Sequence, residues 1–266
     1  MTPKTKIKII HGKSESVLPT LPDDSIDLVV TSPPYNVDLG NNKYNQFAYD
    51  MYNDNKEHHK YIEWLESIFA EIKKKVKSGG RICINIGDGK NGRVPTHADI
   101  IHFMTQRLEF IPITTIVWRK SQIGNRTSWG SWMSPSCPSY PTPFEYILIF
   151  GKNDVKLQTK GMTDLTPEEF KDWAIAEWTF APENRQKEMG HPAMFPEELP
   201  KRLIKMNSWR GAIVLDPFSG MGTTGVVCKR LVRSYIGIEM SKKYCDKSLK
   251  RINDTRPLAE YDMFAD

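Results

Sequence analysis

Val214-Leu215-Asp216-Pro217-Phe218-Ser219-Gly220-Met221-Gly222-Thr223-Thr224 is the stretch on which the fold turns. A short apolar run from Ala212 to Leu215 leads into an acid and a glycine-rich turn. From Thr223 to Leu231 the chain reads as a helix. Strand, glycine turn and helix form a nucleotide-type site, because glycines let the backbone approach a ligand closely. The spacing is not G-x-G-x-x-G, so a dinucleotide fingerprint fits poorly. Next comes Ser234-Tyr235-Ile236-Gly237-Ile238-Glu239, a second strand that ends in an acid. An acid at that tip can accept hydrogen bonds from ribose hydroxyls. Taken alone, Glu239 also reads as a solvated strand-end carboxylate.

A second motif lies near the other end of the chain. Residues 25–30 read as a buried strand, followed by Thr31-Ser32-Pro33-Pro34-Tyr35-Asn36. Two prolines fix φ near −65° and remove two backbone donors. Each also pushes the residue before it out of the helical region. The strand therefore ends in a rigid, extended loop whose carbonyls face outward without local donors. Ser32 adds a hydroxyl and Tyr35 a flat aromatic face. Acceptors beside a stacking ring suit a planar ring that carries an exocyclic amino group. Pro-Pro-Tyr by itself is equally a strand-ending turn.

The hexapeptide resembles motif IV of the DNA amino-methyltransferases, which methylate cytosine N4 or adenine N6. The stretch from Asp216 to Thr224 resembles motif I of S-adenosylmethionine-dependent methyltransferases, and Glu239 falls at the motif II acid. A third landmark, His191-Pro192-Ala193-Met194-Phe195-Pro196 and on through Glu197, Glu198, Leu199 and Pro200, resembles motif X. The target motif comes first and the cofactor loop last, as in the beta group of these enzymes. The resemblance spans residues 25 to 240. It implies an α/β fold with a doubly wound, mostly parallel sheet of the S-adenosylmethionine-dependent methyltransferase (Rossmann-like) type, with a small target-recognition segment. It implies Ser32, Pro33, Pro34 and Tyr35 as catalytic residues. S-adenosyl-L-methionine would lie among Thr31, His191, Pro192, Phe195, Asp216, Pro217, Phe218, Ser219, Gly220, Gly222, Thr223, Thr224, Glu239 and Met240. Residues 1–151 form the catalytic region, 152–190 the recognition segment and 191–266 the cofactor region.

The bulk properties agree with a folded α/β protein. A chain of 266 residues, 39% hydrophobic and with seven tryptophans, can bury a large core. No run of about 18 apolar residues predicts a membrane span. The basic start, Met1 to Lys6, lacks a following apolar stretch of signal-peptide length. Cys83, Cys137, Cys228 and Cys245 form no C-x-x-C pair, so reduced thiols, no metal site and a cytoplasmic protein are expected. The net charge of +5 is mild. The basic, aromatic stretch from Trp118 to Trp132 can place Arg119, Lys120, Asn125 and Arg126 on phosphates or base edges of double-stranded DNA. It reads alternatively as a surface loop with tryptophans folded under it.

Along the chain, residues 8–11 predict a first strand and 16–21 a short helix. The polar stretch 36–55 reads as a mobile lid over the target base. Residues 61–76 carry apolar residues at helical spacing, with Gly79-Gly80 as the helix stop. Residues 81–86 predict a strand and 97–107 a helix. Strands at 113–118 and 145–150 are expected to be neighbours. Thr166-Pro167-Glu168-Glu169-Phe170 is a helix start with proline at the first helical position. A homodimer is expected, because a 39-residue recognition segment offers little surface to read DNA. Its contact is placed on the apolar face of the helix 61–76. The family context adds a cognate restriction endonuclease as a partner.

The chemistry expected of such a site needs no covalent nucleophile. The base must be flipped out at a cost of a few kcal/mol, and stacking on Tyr35 returns roughly 1–3 kcal/mol. The amino N–H groups would donate to Ser32 Oγ and the Pro33 carbonyl, drawing the nitrogen toward sp³ and stabilising its developing charge. Serine at the first motif position is commoner in the cytosine-N4 group and aspartate in the adenine-N6 group, so N4-cytosine is favoured over N6-adenine. RNA or small-amine methylation, and a DNA-binding module with an inactive cofactor site, are further readings. Thiol attack by Cys83 or Cys137 on cytosine C5 would leave the Ser-Pro-Pro-Tyr platform without a purpose.

Overall fold

The computed structural model describes residues 5–36, 55–121, 130–184 and 194–258. Eight strands form one sheet: β1 (Ile7–His11), β2 (Ile26–Thr31), β3 (Val76–Ile86), β4 (Ile111–Lys120), β5 (Phe144–Gly151), β6 (Glu177–Phe180), β7 (Ile213–Asp216) and β8 (Ser234–Glu239). Their order is β1-β8-β7-β2-β3-β5-β4-β6. Only β5 runs against its neighbours β3 and β4; every other pairing is parallel. The expected doubly wound, mostly parallel sheet is therefore observed.

Burial explains why these runs are strands. Along β3, Ile82, Ile84 and Ile86 enter one core and Cys83 the other. Along β5, Leu148 and Phe150 alternate in the same way with Ile147 and Ile149. Side chains of period two thus feed apolar layers on both faces, as a sheet covered twice by helices requires. One layer holds α1 (Ser14–Val17), α2 (His58–Lys75) and α3 (Thr96–His102), which runs into a wider turn at Phe103–Arg107. The other holds α4 (Pro167–Trp173), α5 (Glu198–Asn207), α6 (Thr223–Arg230) and α7 (Lys242–Asn253).

Two expectations are corrected, and one strand is added. Gly79-Gly80 does not stop α2. The helix ends at Lys75, where the amides of Asp24 and Ser25 donate to the carbonyls of Lys74 and Lys75 at 3.0 and 2.9 Å. The glycines lie inside β3, where the register slips from Ile26↔Val76 to Leu28↔Arg81. Gly79 has φ +74°, and a Cβ there would sit 2.4 Å from the Lys156 carbonyl oxygen. These glycines absorb a bulge rather than cap a helix.

The apolar face of α2 is not a dimer surface. Tyr61, Leu65, Ile68, Phe69 and Ile72 are buried in the chain's own core. Finally, residues 177–180 form β6, unread in the sequence, which pairs with β4 at the sheet edge. The helix start at Thr166 is as expected: its side chain accepts from the Glu169 amide, and the Glu169 side chain answers to the Thr166 amide.

Candidate active site

Strand numbering reverses between β7 and β2, the place where open α/β sheets bind ligands outside the carboxyl ends of the strands. The two sequence motifs meet there. Thr31 Oγ1, at the end of β2, donates to Asp216 Oδ1, at the end of β7, at 2.7 Å. The loop that follows Thr31 thus starts beside the glycine turn, although 185 residues separate the partners.

Asp216 is the anchor of the cofactor half. Thr224 Oγ1 donates to its Oδ2 at 2.8 Å and the Phe218 amide to its Oδ1 at 3.1 Å. Burial pushes its carboxyl up to about 6, against these hydrogen bonds, which pull it down. The ordinary value is 3.8. As pH rises between the two values, the unfolded chain has released the proton and the folded chain has not, so stability falls. The full effect is about 3 kcal/mol. Asp216→Asn is therefore expected to gain in melting temperature relative to wild type between pH 4 and pH 7. Calorimetric melts that stay parallel across that interval would contradict this origin.

The turn itself is shaped by glycine. Gly220 and Gly222 have φ of +50° and +72°. A Cβ on Gly222 would meet Ser248 of α7 at 2.8 Å. Glu239 closes the turn from the side: its Oε2 accepts from the Gly220 amide at 2.9 Å and its Oε1 from the Ser241 amide at 2.7 Å. The carboxylate is only half-buried, and a carboxylate oxygen can accept more than one donor, a ribose hydroxyl among them. Ser219 binds the Tyr235 hydroxyl at 2.9 Å, Ser14 Oγ donates to the Pro217 carbonyl, and His11 Nε2 lies 3.1 Å from the Met240 carbonyl. Phe218 stacks obliquely on Trp64 at 5.6 Å, and Phe195 packs against the α5–α6 layer. A glycine turn with a solvent-reaching carboxylate on the next strand fits the adenosine part of S-adenosylmethionine.

The target half is more elaborate than the sequence suggests. Tyr61 OH donates to the Pro34 carbonyl at 2.6 Å and fixes the loop. Tyr35 OH donates to Glu145 Oε2 at 2.8 Å, and Ser32 Oγ donates to Tyr35 OH at 3.2 Å. Asn85 Nδ2 reaches both Tyr35 OH and Glu145 Oε2 at 2.7 Å. Lys120 Nζ pairs with Glu145 Oε1 and lies 5.5 Å from the Trp118 ring centre. Asn36, with φ +54°, binds the amide and carbonyl of Lys56 at 2.8 Å each, which holds residues 36 and 56 together.

Other expected residues fall elsewhere. Lys120 belongs to the Glu145 cluster, while Arg119 is exposed at the end of β4. Trp118 is folded under the sheet edge at 2% exposure. Asn125, Arg126, His191, Pro192 and the lid between Asn36 and Asn55 lie outside the described residues. Cys83 is buried within β3, and burial pushes its thiol up to about 12, which leaves no thiolate for attack on C5. Cys137 is exposed on the turn at 130–138.

Glu145, Asn85 and Arg251 were not singled out in the sequence, and Glu197 stood there only as part of the motif X stretch. Arg251 donates to the Met221 carbonyl at 3.2 Å and to Thr223 Oγ1 at 3.0 Å, and it pairs with Glu197 at 2.8 Å. It thereby ties the start of α5 to the glycine turn. An acid opening an otherwise apolar strand, Phe144-Glu145-Tyr146-Ile147, was the one available signal for Glu145.

Fold and site together define an S-adenosyl-L-methionine-dependent methyltransferase. The family model for N6/N4 DNA methylases matches residues 26–250, and the chain belongs to that family. A type II methyltransferase of Methanocaldococcus jannaschii, M.MjaI, is 33% identical over 93% of this chain and 90% of its own length. A second from that organism, M.MjaVI, is 37% identical over 63% of this chain and 82% of its own. A Thermus thermophilus protein assigned as a DNA modification methylase, solved in complex with S-adenosyl-L-methionine, is 27% identical with a TM-score of 0.71, covering 92% of each chain. The chain is thus a DNA amino-methyltransferase that uses S-adenosyl-L-methionine. Among the described residues no helix is long and apolar enough to cross a membrane.

Proposed function

We propose that the chain methylates the exocyclic N4 of a flipped cytosine in double-stranded DNA at a specific sequence, within a restriction–modification system. The observation that carries this reading is the Thr31–Asp216 hydrogen bond, which sets the Ser32-Pro33-Pro34-Tyr35 loop against the cofactor turn. When bound, the cofactor supplies an activated methyl group on a sulfonium. Ser32 Oγ and the Pro33 carbonyl accept the two amino N–H groups and orient the nitrogen for in-line approach. Tyr35 stacks on the base and holds it out of the helix. Arg119, Asn125 and Arg126 contact phosphates or base edges, while Lys120 is held at Glu145.

Serine at the first motif position favours cytosine. Adenine N6 is the second reading, since the same acceptors serve either amine. The designation of relatives as type II methyltransferases supports the restriction–modification setting and a cognate endonuclease as partner. We further propose a cytoplasmic homodimer, in which a second subunit supplements the small 152–190 segment; a ~30 kDa particle by light scattering at tens of micromolar would reject the dimer.

The function is tested by expressing the chain with a plasmid in a methylase-free host and mapping modified bases. N4-methylcytosine at one sequence is expected. N6-methyladenine would select the second reading, and unmodified DNA would remove both.

A further inference from the structure

The chain of hydrogen bonds behind the target loop has a direction, and one residue sets it. A carboxylate can only accept. Tyr35 must therefore donate to Glu145 Oε2, at 2.8 Å. Having spent its one hydrogen, the Tyr35 oxygen can only accept from its remaining neighbours. Ser32 Oγ, 3.2 Å away, is obliged to donate to it, as is Asn85 Nδ2 at 2.7 Å. The Ser32 proton then points into the protein, and its lone pairs are left for the base.

The surroundings reinforce this polarity. Glu145 has a side-chain exposure of 12% and holds Lys120 on its other oxygen. Asn85 is 1% exposed, and its Oδ1 meets no donor among the described residues. Turning that amide over would set its oxygen against the carboxylate, so the amide keeps its NH₂ inward and leaves its oxygen unpaired. Buried Gly87 packs against the pair: a Cβ there would lie 3.2 Å from Tyr35 Cε2 and 3.3 Å from Glu145 Cγ.

We infer that Glu145 is a positioning residue that fixes, through Tyr35, the direction of the hydrogen-bond chain ending at Ser32, so that Ser32 offers the base amine acceptor lone pairs and no proton. The inference rests on the amino-methylation reading and deepens it. An amine that needs acceptors on both N–H groups meets one here because of a carboxylate two residues removed from it.

Glu145→Gln is the near-isosteric test. It is made in an Asn85→Ala background, because Asn85 Nδ2 lies 2.7 Å from Glu145 Oε2 and a turned-over Asn85 amide could otherwise accept both the introduced NH₂ and the Tyr35 hydrogen. Lys120 requires an acceptor, so the amide oxygen faces Lys120 and the amide NH₂ faces Tyr35. Tyr35 then accepts, turns its hydrogen toward Ser32, and releases the Ser32 proton toward the base. The single-turnover methylation rate is expected to fall about a hundredfold, with cofactor and DNA dissociation constants within about twofold of wild type. Tyr35→Phe keeps the ring and removes the relay. In that background Glu145→Gln should lower the rate by no more than about threefold. A further hundredfold loss there would show that Glu145 acts by another route and would overturn the inference, as would an unchanged rate on adding Glu145→Gln to Asn85→Ala.

A second readout does not need turnover. In protein labelled with ¹³C at tyrosine Cζ, assigned with Tyr35→Phe, Glu145→Gln should lower the titration midpoint of the Tyr35 phenol, because a carboxylate beside it opposes ionisation. An unchanged midpoint would overturn the inference even if the wild type methylates DNA. A wild type that methylates no amino group would instead overturn the functional reading, while the titration still decides the direction of the chain.

Discussion

Tyr35→Ala is expected to reduce methyl transfer by about a thousandfold, roughly 4 kcal/mol of transition-state stabilisation, while S-adenosyl-L-methionine affinity stays within about twofold of wild type. Two losses combine. The stacking surface for the flipped base goes, a loss of roughly 1–3 kcal/mol. The hydroxyl that accepts from Ser32 at 3.2 Å goes as well, so Ser32 no longer meets the amine with a fixed acceptor. Cofactor affinity is spared because Asp216 and Glu239 are held by Thr31, Thr224 and the amides of Phe218, Gly220 and Ser241. The link between the two halves is Thr31, which the substitution leaves in place. Single-turnover transfer of a labelled methyl group and calorimetric cofactor titration measure the two quantities. Turnover within about tenfold of wild type, a loss of only ~1.4 kcal/mol, would mean that Tyr35 is not the platform.

What the sequence disclosed follows from how local each feature is. The strand Ser234–Glu239 was legible to the residue because an apolar run, a glycine and a terminal acid are contiguous. The helix start at Thr166 was legible because a proline suited to the first helical position follows it directly. Both halves of the candidate site stood out as motifs, since proline, glycine and serine state their backbone demands locally. Their junction was not, because Thr31 and Asp216 meet only through the reversal of strand order.

Glu145 and Asn85 escaped for the same reason. They lie on the antiparallel pair β3 and β5 and reach Tyr35 across 110 and 50 residues. Gly79-Gly80 misled because a glycine pair after a helical run signals a stop, whereas its bulge is dictated by the backbone around Lys156 and Gln158, which sequence spacing does not reveal. The strand β6 is four residues long and half its side chains are exposed, so its pattern is too short to stand out; pairing with β4 makes it a strand.

The segment around β6 supports the last expectation. Asp164→Ala should destabilise the protein by about 3–5 kcal/mol. Its partner Arg233 sits just before β8 and is fully buried. The guanidinium meets both Asp164 oxygens, one at 2.9 Å, and also donates to the carbonyls of Leu231 at 2.7 Å and Ser208 at 3.0 Å. Its Nε finds no acceptor among the described residues. Removing the carboxylate leaves a buried cation held by neutral carbonyls alone. A loss of that size corresponds to a fall in melting temperature of about 10 °C for a chain of this length. The fall should persist at high salt, because a pair shielded from solvent is little screened. Adding Arg233→Met removes the stranded charge, so Asp164→Ala with Arg233→Met should recover most of the loss. Leu165 packs into the sheet core beside this pair, and Arg202 lies 5.1–5.4 Å from the rings of Trp173, Trp178 and Phe180. Residues 164–180 are therefore bound to the cofactor-side helices by a buried ion pair and a tryptophan layer. If Asp164→Ala melted with wild type, that attachment would not be what holds the segment in place. If the single variant lost stability and the double variant did not recover it, the carboxylate would act through contacts other than Arg233.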